Sequence, residues 1–109
     1  MKRKQQLYDK YNGHCAYCGT PLGAGWQTDH IVPKCRGGTD DIENLAPACR
    51  PCNASKAGYG VEQFRVRLID DVARLRRDSA KFRILERFGL VAQVKNKVVF
   101  YGEVQDEKV

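Results

Sequence analysis

The chain has 109 residues, 42% of them hydrophobic and 29% charged, with a formal net charge of +6. That length holds one domain and excludes two ordinary ones; a chain this small buries only roughly two-thirds of its unfolded surface, so a metal staple would add materially to its stability. The start MKRKQQLYDKYNG has no apolar run behind it and is not a signal peptide. No stretch reaches the roughly 18 apolar residues of a membrane span, and the basic balance points to a polyanionic partner.

Residues 3–11 read as a short helix, with Leu7 and Tyr11 one turn apart and Gly13 suited to a stop. HCAYCGTPL reads as a tight knuckle. Trp26 to Val32 has strand character and ends at Pro33, and KCRGGTDDIE over 34–43 reads as an exposed loop. Leu45–Ala48 is a second extended piece leading to Cys49, and a helix begins around Pro51, Cys52 and Asn53. Beyond Gly58 and Gly60 the pattern turns helical, with Val61, Phe64, Leu68, Val72 and Leu75 forming one apolar stripe. Asp78 and Ser79 can cap a further helix carrying Phe82, Leu85 and Phe88, with Gly89 at its end. Leu90–Val94 and Val98–Tyr101 read as two strands joined at Lys95, Asn96 and Lys97. The expected organisation is a core over 1–60 with an extension over 61–109 packed on it.

Cys15/Cys18 and Cys49/Cys52 are two Cys-x-x-Cys pairs, each able to give a metal two soft ligands from one turn. Together they complete a tetrahedral set with no open position, which is the pattern of a structural zinc. Plain zinc ribbons separate such pairs by about 15–20 residues; here a longer insert lies between them. A dithiol redox pair and unliganded core cysteines are the rival readings. A cytosolic setting, where thiols stay reduced, and the odd count of five cysteines both disfavour disulfides. Cys35 is left over as a loop thiol, and His14 beside Cys15 reads as a solvated loop histidine.

The insert contains Asp29 and His30. Adjacent on a strand, their side chains leave opposite faces, so one can hold a metal while the other meets a substrate. An imidazole suits general-base work at neutral pH, and a hard ion such as Mg²⁺ prefers oxygens of the kind Asp29 and Asn53 carry.

The order C-x-x-C, DH-I-x-P, GG, NL, C-x-x-C-N and K resembles the HNH endonuclease family over roughly residues 3–58. The resemblance implies an α+β fold: a small zinc-stapled ββα-metal (His-Me finger) core with flanking helices, followed here by a C-terminal helical and β-hairpin extension. It implies that His30 activates water, that Asp29 and Asn53 hold the catalytic Mg²⁺ or Mn²⁺, and that Asn44 orients the imidazole. Lys56 matches a position that is often basic and would reach a phosphate or pair locally. Asn53 stands where many relatives carry histidine, a common variant, and Cys35 where they more often carry serine. The implied reaction is hydrolysis of DNA phosphodiester bonds, by nicking or double-strand cleavage. The implied setting is the cytoplasm of a bacterial or phage-infected cell, with a homodimer or a phage packaging or restriction partner left open.

Residues 65–87 hold eight Arg/Lys against four Asp/Glu, so Arg65 and Arg67 are candidate phosphate contacts and a solvated helix face is the competing reading. No base-reading motif stands out, which implies loose sequence preference; double-stranded DNA is the expected partner. The alternative function is a catalytically silent zinc-stapled module that binds nucleic acid.

Overall fold

The computed structural model describes residues 2–91 and 97–108, with residue 2 and residues 105–108 described by backbone alone. It divides into two compact units, residues 1–61 with 99–109, and residues 62–98.

The first unit is built around a two-stranded antiparallel sheet. Helix α1 (Lys2–Lys10) buries Leu7 completely and packs toward the second strand. The Tyr11 N–H still bonds the Leu7 carbonyl, and the chain turns out of the helix at Asn12 and Gly13, both at positive φ. The knuckle follows. The Cys15 N–H bonds the Thr20 carbonyl at 2.8 Å and the Gly19 N–H returns to the Cys15 carbonyl at 3.1 Å. Gly19 takes φ +78° to close this turn, a conformation that favours glycine, and a Cβ there would crowd the Tyr101 ring at 3.3 Å.

Strand β1 (Gln27–His30) pairs with β2 (Leu45–Ala48) in the register Gln27 with Ala48, Thr28 with Pro47, Asp29 with Ala46 and His30 with Leu45. The strands divide the labour. All four β2 residues are buried, whereas every β1 side chain is polar. Strand β2 also receives the Ala16 N–H on the Pro47 carbonyl at 2.9 Å, so it lies between β1 and the knuckle. Pro47 lacks an N–H, and a sheet of two strands tolerates the loss. Helix α2 (Arg50–Lys56) starts at once, with Cys49 as its N-cap and Pro51 in the first turn, where a missing N–H costs nothing. It packs on β1. Between the strands, residues 34–43 hold two short 3₁₀ turns, Lys34–Arg36 and Ile42–Asn44, the second ending one residue beyond that segment.

The second unit contains α3 (Val61–Asp78) beyond its first residue, and α4 (Ala80–Arg87). Ser79 caps α4, its hydroxyl accepting the Phe82 N–H at 3.1 Å. Arg76 grips Glu86 through both Nε and Nη2, and Arg83 donates to the last carbonyls of α3, at Arg76 and Arg77. Of the apolar stripe, Phe64 is buried, while Leu75 lies half open to solvent.

The expected strand Val98–Tyr101 is not formed. Residues 97–100 join no ladder and Tyr101 opens helix α5 (Tyr101–Lys108). The Glu103 carboxylate accepts the Phe100 N–H at 3.0 Å, as in a capping box, and the Tyr101 and Gly102 N–H groups dock on the carbonyls of Tyr17 and Ala16. Phe100 is buried against the Tyr17 ring, edge to face. Its apolar character thus serves the knuckle, not a hairpin. The expected strand Leu90–Val94 and the turn at Lys95–Lys97 fall largely on residues 92–96, outside the described residues. No helix among the described residues is long and apolar enough to cross a membrane.

Candidate metal centre and active site

The four sulfurs of Cys15, Cys18, Cys49 and Cys52 all lie within 4.8 Å of one another, and those of Cys18 and Cys49 are 3.7 Å apart. A zinc–sulfur bond of about 2.3 Å requires tetrahedral edges of about 3.8 Å, so the cage has the size and the soft donors for Zn²⁺. The N–H groups of Tyr17 and Cys49 point at the Cys15 sulfur, at 3.4 and 3.3 Å. The Cys15 thiol is pushed down to about 4, chiefly by its hydrogen bond with Cys52 and then by such backbone N–H groups, while the Cys52 thiol is pushed up by that same bond and by burial. One thiolate is thus stabilised at the expense of its neighbours, and a dication relieves the competition by taking all four as thiolates. His14 stays outside this set: its Nδ1–H donates to the Asn12 carbonyl at 2.7 Å and its ring stacks on Tyr101. Cys35 is an exposed thiol, 3.9 Å from the Gly58 carbonyl.

The second cluster lies between β1 and α2. Gln27 and Asp29 share one face of β1, and Asn53 and Lys56 are one turn apart on α2. The Asn53 Nδ2 donates to the side-chain oxygen Oε1 of Gln27 in a very short contact. Asp29 is buried, and its Oδ2 accepts the Tyr17 hydroxyl at 2.6 Å and pairs with the Lys56 ammonium at 3.0 Å. Lys56 is wholly enclosed and also donates to the His30 carbonyl at 2.9 Å. Of its two expected roles, the local pairing is therefore the one it makes, because a 0% exposed ammonium cannot reach a phosphate. Across the strands, Ala46 and Ala48 stand opposite Asp29 and Gln27, small residues that leave room for the α2 side chains. Burial and the Asp29 carboxylate hold the Tyr17 phenol protonated far above its usual range.

His30 emerges on the other side, its side chain 30% exposed. Its Nε2 meets Asp40 Oδ1 at 2.8 Å, and Lys34 binds the other oxygen of that carboxylate at 3.1 Å. The hydrogen bond from His30, and then the Lys34 ammonium, hold the Asp40 carboxyl below the usual carboxylate range. Asn44 clamps the intervening loop. Its Oδ1 accepts the Val32 N–H, its Nδ2 donates to the carbonyls of Val32 and Thr39, and its own carbonyl accepts the Ile31 N–H. Gly38 threads this clamp so closely that a Cβ would fall 1.7 Å from the Val32 carbonyl oxygen, which only glycine avoids. Sequence reasoning missed Gln27, Tyr17 and Asp40. Tyr17 carried a weak signal, an aromatic ring inside a Cys-x-x-Cys turn, whereas Asp40 was one acid among several in a solvated loop.

Residues 15–57 match the family model described as HNH endonuclease. That segment belongs to the HNH endonuclease family. The HNH segment carries the whole sulfur cage together with Asp29, His30, Asn44, Asn53 and Lys56. The CRISPR-associated endonuclease Cas9 of Corynebacterium diphtheriae is 42% identical over 55 residues, which cover 49% of this chain and 5% of that protein. The SPbeta prophage-derived protein YoqL of Bacillus subtilis, named for the same HNH class, is 31% identical over 72 residues, covering 55% of this chain and 30% of its own. Among solved structures, the Type II-C Cas9 enzyme from Actinomyces naeslundii shares the fold, with a TM-score of 0.56 at 24% identity, over 78% of this chain and 10% of that one. The chain thus spans less than a third of each of these relatives. Its HNH segment has the α+β zinc-stapled architecture.

The candidate DNA contacts of the second unit are engaged internally. Arg65 donates to both oxygens of Glu62 and to the Val98 carbonyl, and Arg67 also has a partner. Arg74, Arg76 and Arg77 pair with Asp71, Glu86 and Asp78. Arg65, Arg74, Arg76 and Arg77 thus each have an acidic partner within the unit.

Proposed function

We propose that the chain is a metal-dependent HNH endonuclease that hydrolyses DNA phosphodiester bonds, with His30 as general base and Asp29 and Asn53 holding the catalytic ion. The observation that carries this reading is the partly exposed imidazole of His30 at the end of β1, with Nε2 engaged and Nδ1 bonded to no described residue. A water beside Nδ1 could lose its proton to that nitrogen. Support for the ion comes from the donor chemistry. Asp29 spends Oδ2 on Tyr17 and Lys56 and keeps a second carboxylate oxygen; Asn53 spends its amide nitrogen on Gln27 and keeps its oxygen. These are hard oxygens of the kind Mg²⁺ and Mn²⁺ take. A bound ion would neutralise charge on the scissile phosphate and the leaving oxygen. Lys56 tempers the carboxylate beside it, and Asn44 keeps the chain after His30 from shifting.

Duplex DNA read with loose sequence preference is the proposed substrate, in the cytoplasm of a bacterial or phage-infected cell. The silent nucleic-acid-binding alternative draws on the closed Asp29–Lys56 pair, which occupies one of the carboxylate oxygens. Purified protein should nick plasmid DNA when Mg²⁺ or Mn²⁺ is supplied and stop when that ion is withdrawn with zinc retained. His30→Ala protein that still cuts at the parental rate would refute the general-base assignment.

A further inference from the structure

Asp40 has no role in the reading above, yet it is the group that His30 touches. Three features show that the pairing is built by the fold. First, the Asp40 carboxylate is used at both ends: Oδ1 takes the imidazole Nε2 at 2.8 Å and Oδ2 takes the Lys34 ammonium at 3.1 Å. Second, the backbone around it is pinned. Arg3 Nη1 donates to the Asp40 carbonyl at 2.6 Å, and the preceding carbonyl, of Thr39, accepts from Asn44 Nδ2 at 2.8 Å. Third, that same Asn44 amide bonds both the N–H and the carbonyl of Val32, two residues after His30. One side chain thereby fixes the distance between the strand that carries the imidazole and the loop that carries the carboxylate. Gly38, with no room for a Cβ, lets the loop return that closely.

We infer that Asp40 is a positioning residue for His30: it holds the ring in the Nε2–H tautomer with the Nδ1 lone pair turned outward. An ionised carboxylate can only accept, so the imidazole nitrogen facing it must carry the proton, and the basic lone pair is left on Nδ1. Without the partner the ring could turn about its side-chain bonds or exchange tautomers, and a fraction of molecules would offer the wrong nitrogen. The inference rests on the nuclease reading for its catalytic consequence, but the tautomer and ring orientation can be observed without any cleavage.

The chain has two histidines, His14 and His30, so imidazole ¹H–¹⁵N spectra of the full-length zinc-loaded protein contain two ring systems, and His30→Ala identifies one of them. The expected wild-type result is a single Nε2–H tautomer for His30, with its ring proton slowed in exchange with water. Asp40→Ala should give mixed tautomers and lose that protection. Zinc content and melting temperature should hold, because the carboxylate is 61% exposed and the Arg3 contact is to backbone. With plasmid DNA, Asp40→Ala should lower kcat on the order of 10- to 100-fold with KM within about a factor of two, and Asp40→Asn, which keeps an accepting oxygen, should recover part of the loss. An unchanged His30 ring spectrum in Asp40→Ala overturns the inference, as does an unchanged kcat in a wild-type enzyme that cuts. Wild-type protein that fails to cut DNA defeats the nuclease reading and with it the effect on kcat, while the ring spectra still decide the pairing.

Discussion

The sulfur cage and the polar groups around β1 lie in one unit and are assembled by opposite means. The cage is four copies of one ligand type, two per tight turn, whose sulfurs converge within 4.8 Å and leave no place for a fifth group. The groups around β1 are unlike, Asp29, Gln27 and the α2 residue Asn53 on one side and His30 on the other, each already bonded to a protein partner and each with an atom to spare. A closed set of like ligands stores stability; an open set of unlike ones can do chemistry. The two are joined through Tyr17, which sits between the cage cysteines and hands its hydroxyl to Asp29.

The largest expected effect breaks the first half of that contrast. Cys49→Ser removes a ligand worth a share of a binding energy on the order of 10 kcal/mol, comparable to the whole stability of a small domain. The variant should be unfolded by circular dichroism and purify without stoichiometric zinc; a folded, metal-free Cys49→Ser protein would end the structural-zinc reading. His30→Ala tests the other half. Cleavage should fall by about 10²- to 10⁴-fold, the usual worth of a general base, with zinc content and melting temperature unchanged.

Lys56→Met probes the seam between the two. It leaves a buried carboxylate with the Tyr17 hydroxyl but no cation, and breaking a buried pair this way costs about 3–5 kcal/mol. Urea unfolding should show that loss while zinc stays bound, and a variant as stable as its parent would make the ion pair dispensable. The smallest expected effect belongs to the second unit. Ser79→Ala deletes the α4 cap and should cost about 1 kcal/mol in urea unfolding, with cutting and zinc binding untouched.

Much of this was readable along the chain because its physical causes are local. A Cys-x-x-Cys turn brings two sulfurs together whatever surrounds it, and four such cysteines in a reduced setting leave few partners but a metal. Ser79 before an apolar period announces its own cap. The adjacency of Asp29 and His30 on a strand already sends one inward and one outward. The sequence also placed the two extended pieces, at Trp26–Val32 and Leu45–Ala48, and the ladder forms within them at Gln27–His30 and Leu45–Ala48.

Tertiary structure alone decided the rest, since those partners lie far apart in sequence. Asp40 is ten residues from His30 and reaches it only because Asn44 and Gly38 fold the loop back. Lys56 is 26 residues from the His30 carbonyl, and nothing in its charge foretold complete burial between that group and Asp29. The segment from Val98 to Tyr101 has the apolar look of a strand, but Glu103 caps it and the knuckle carbonyls of Ala16 and Tyr17 capture its N–H groups, so it becomes the entry to a helix. Ligand identity is a property of residues, whereas which acid meets which base is a property of the space the backbone encloses. Hence the sequence by itself determined which groups can bind a metal or move a proton, and the fold determined which of them are held, shielded or left open to do so.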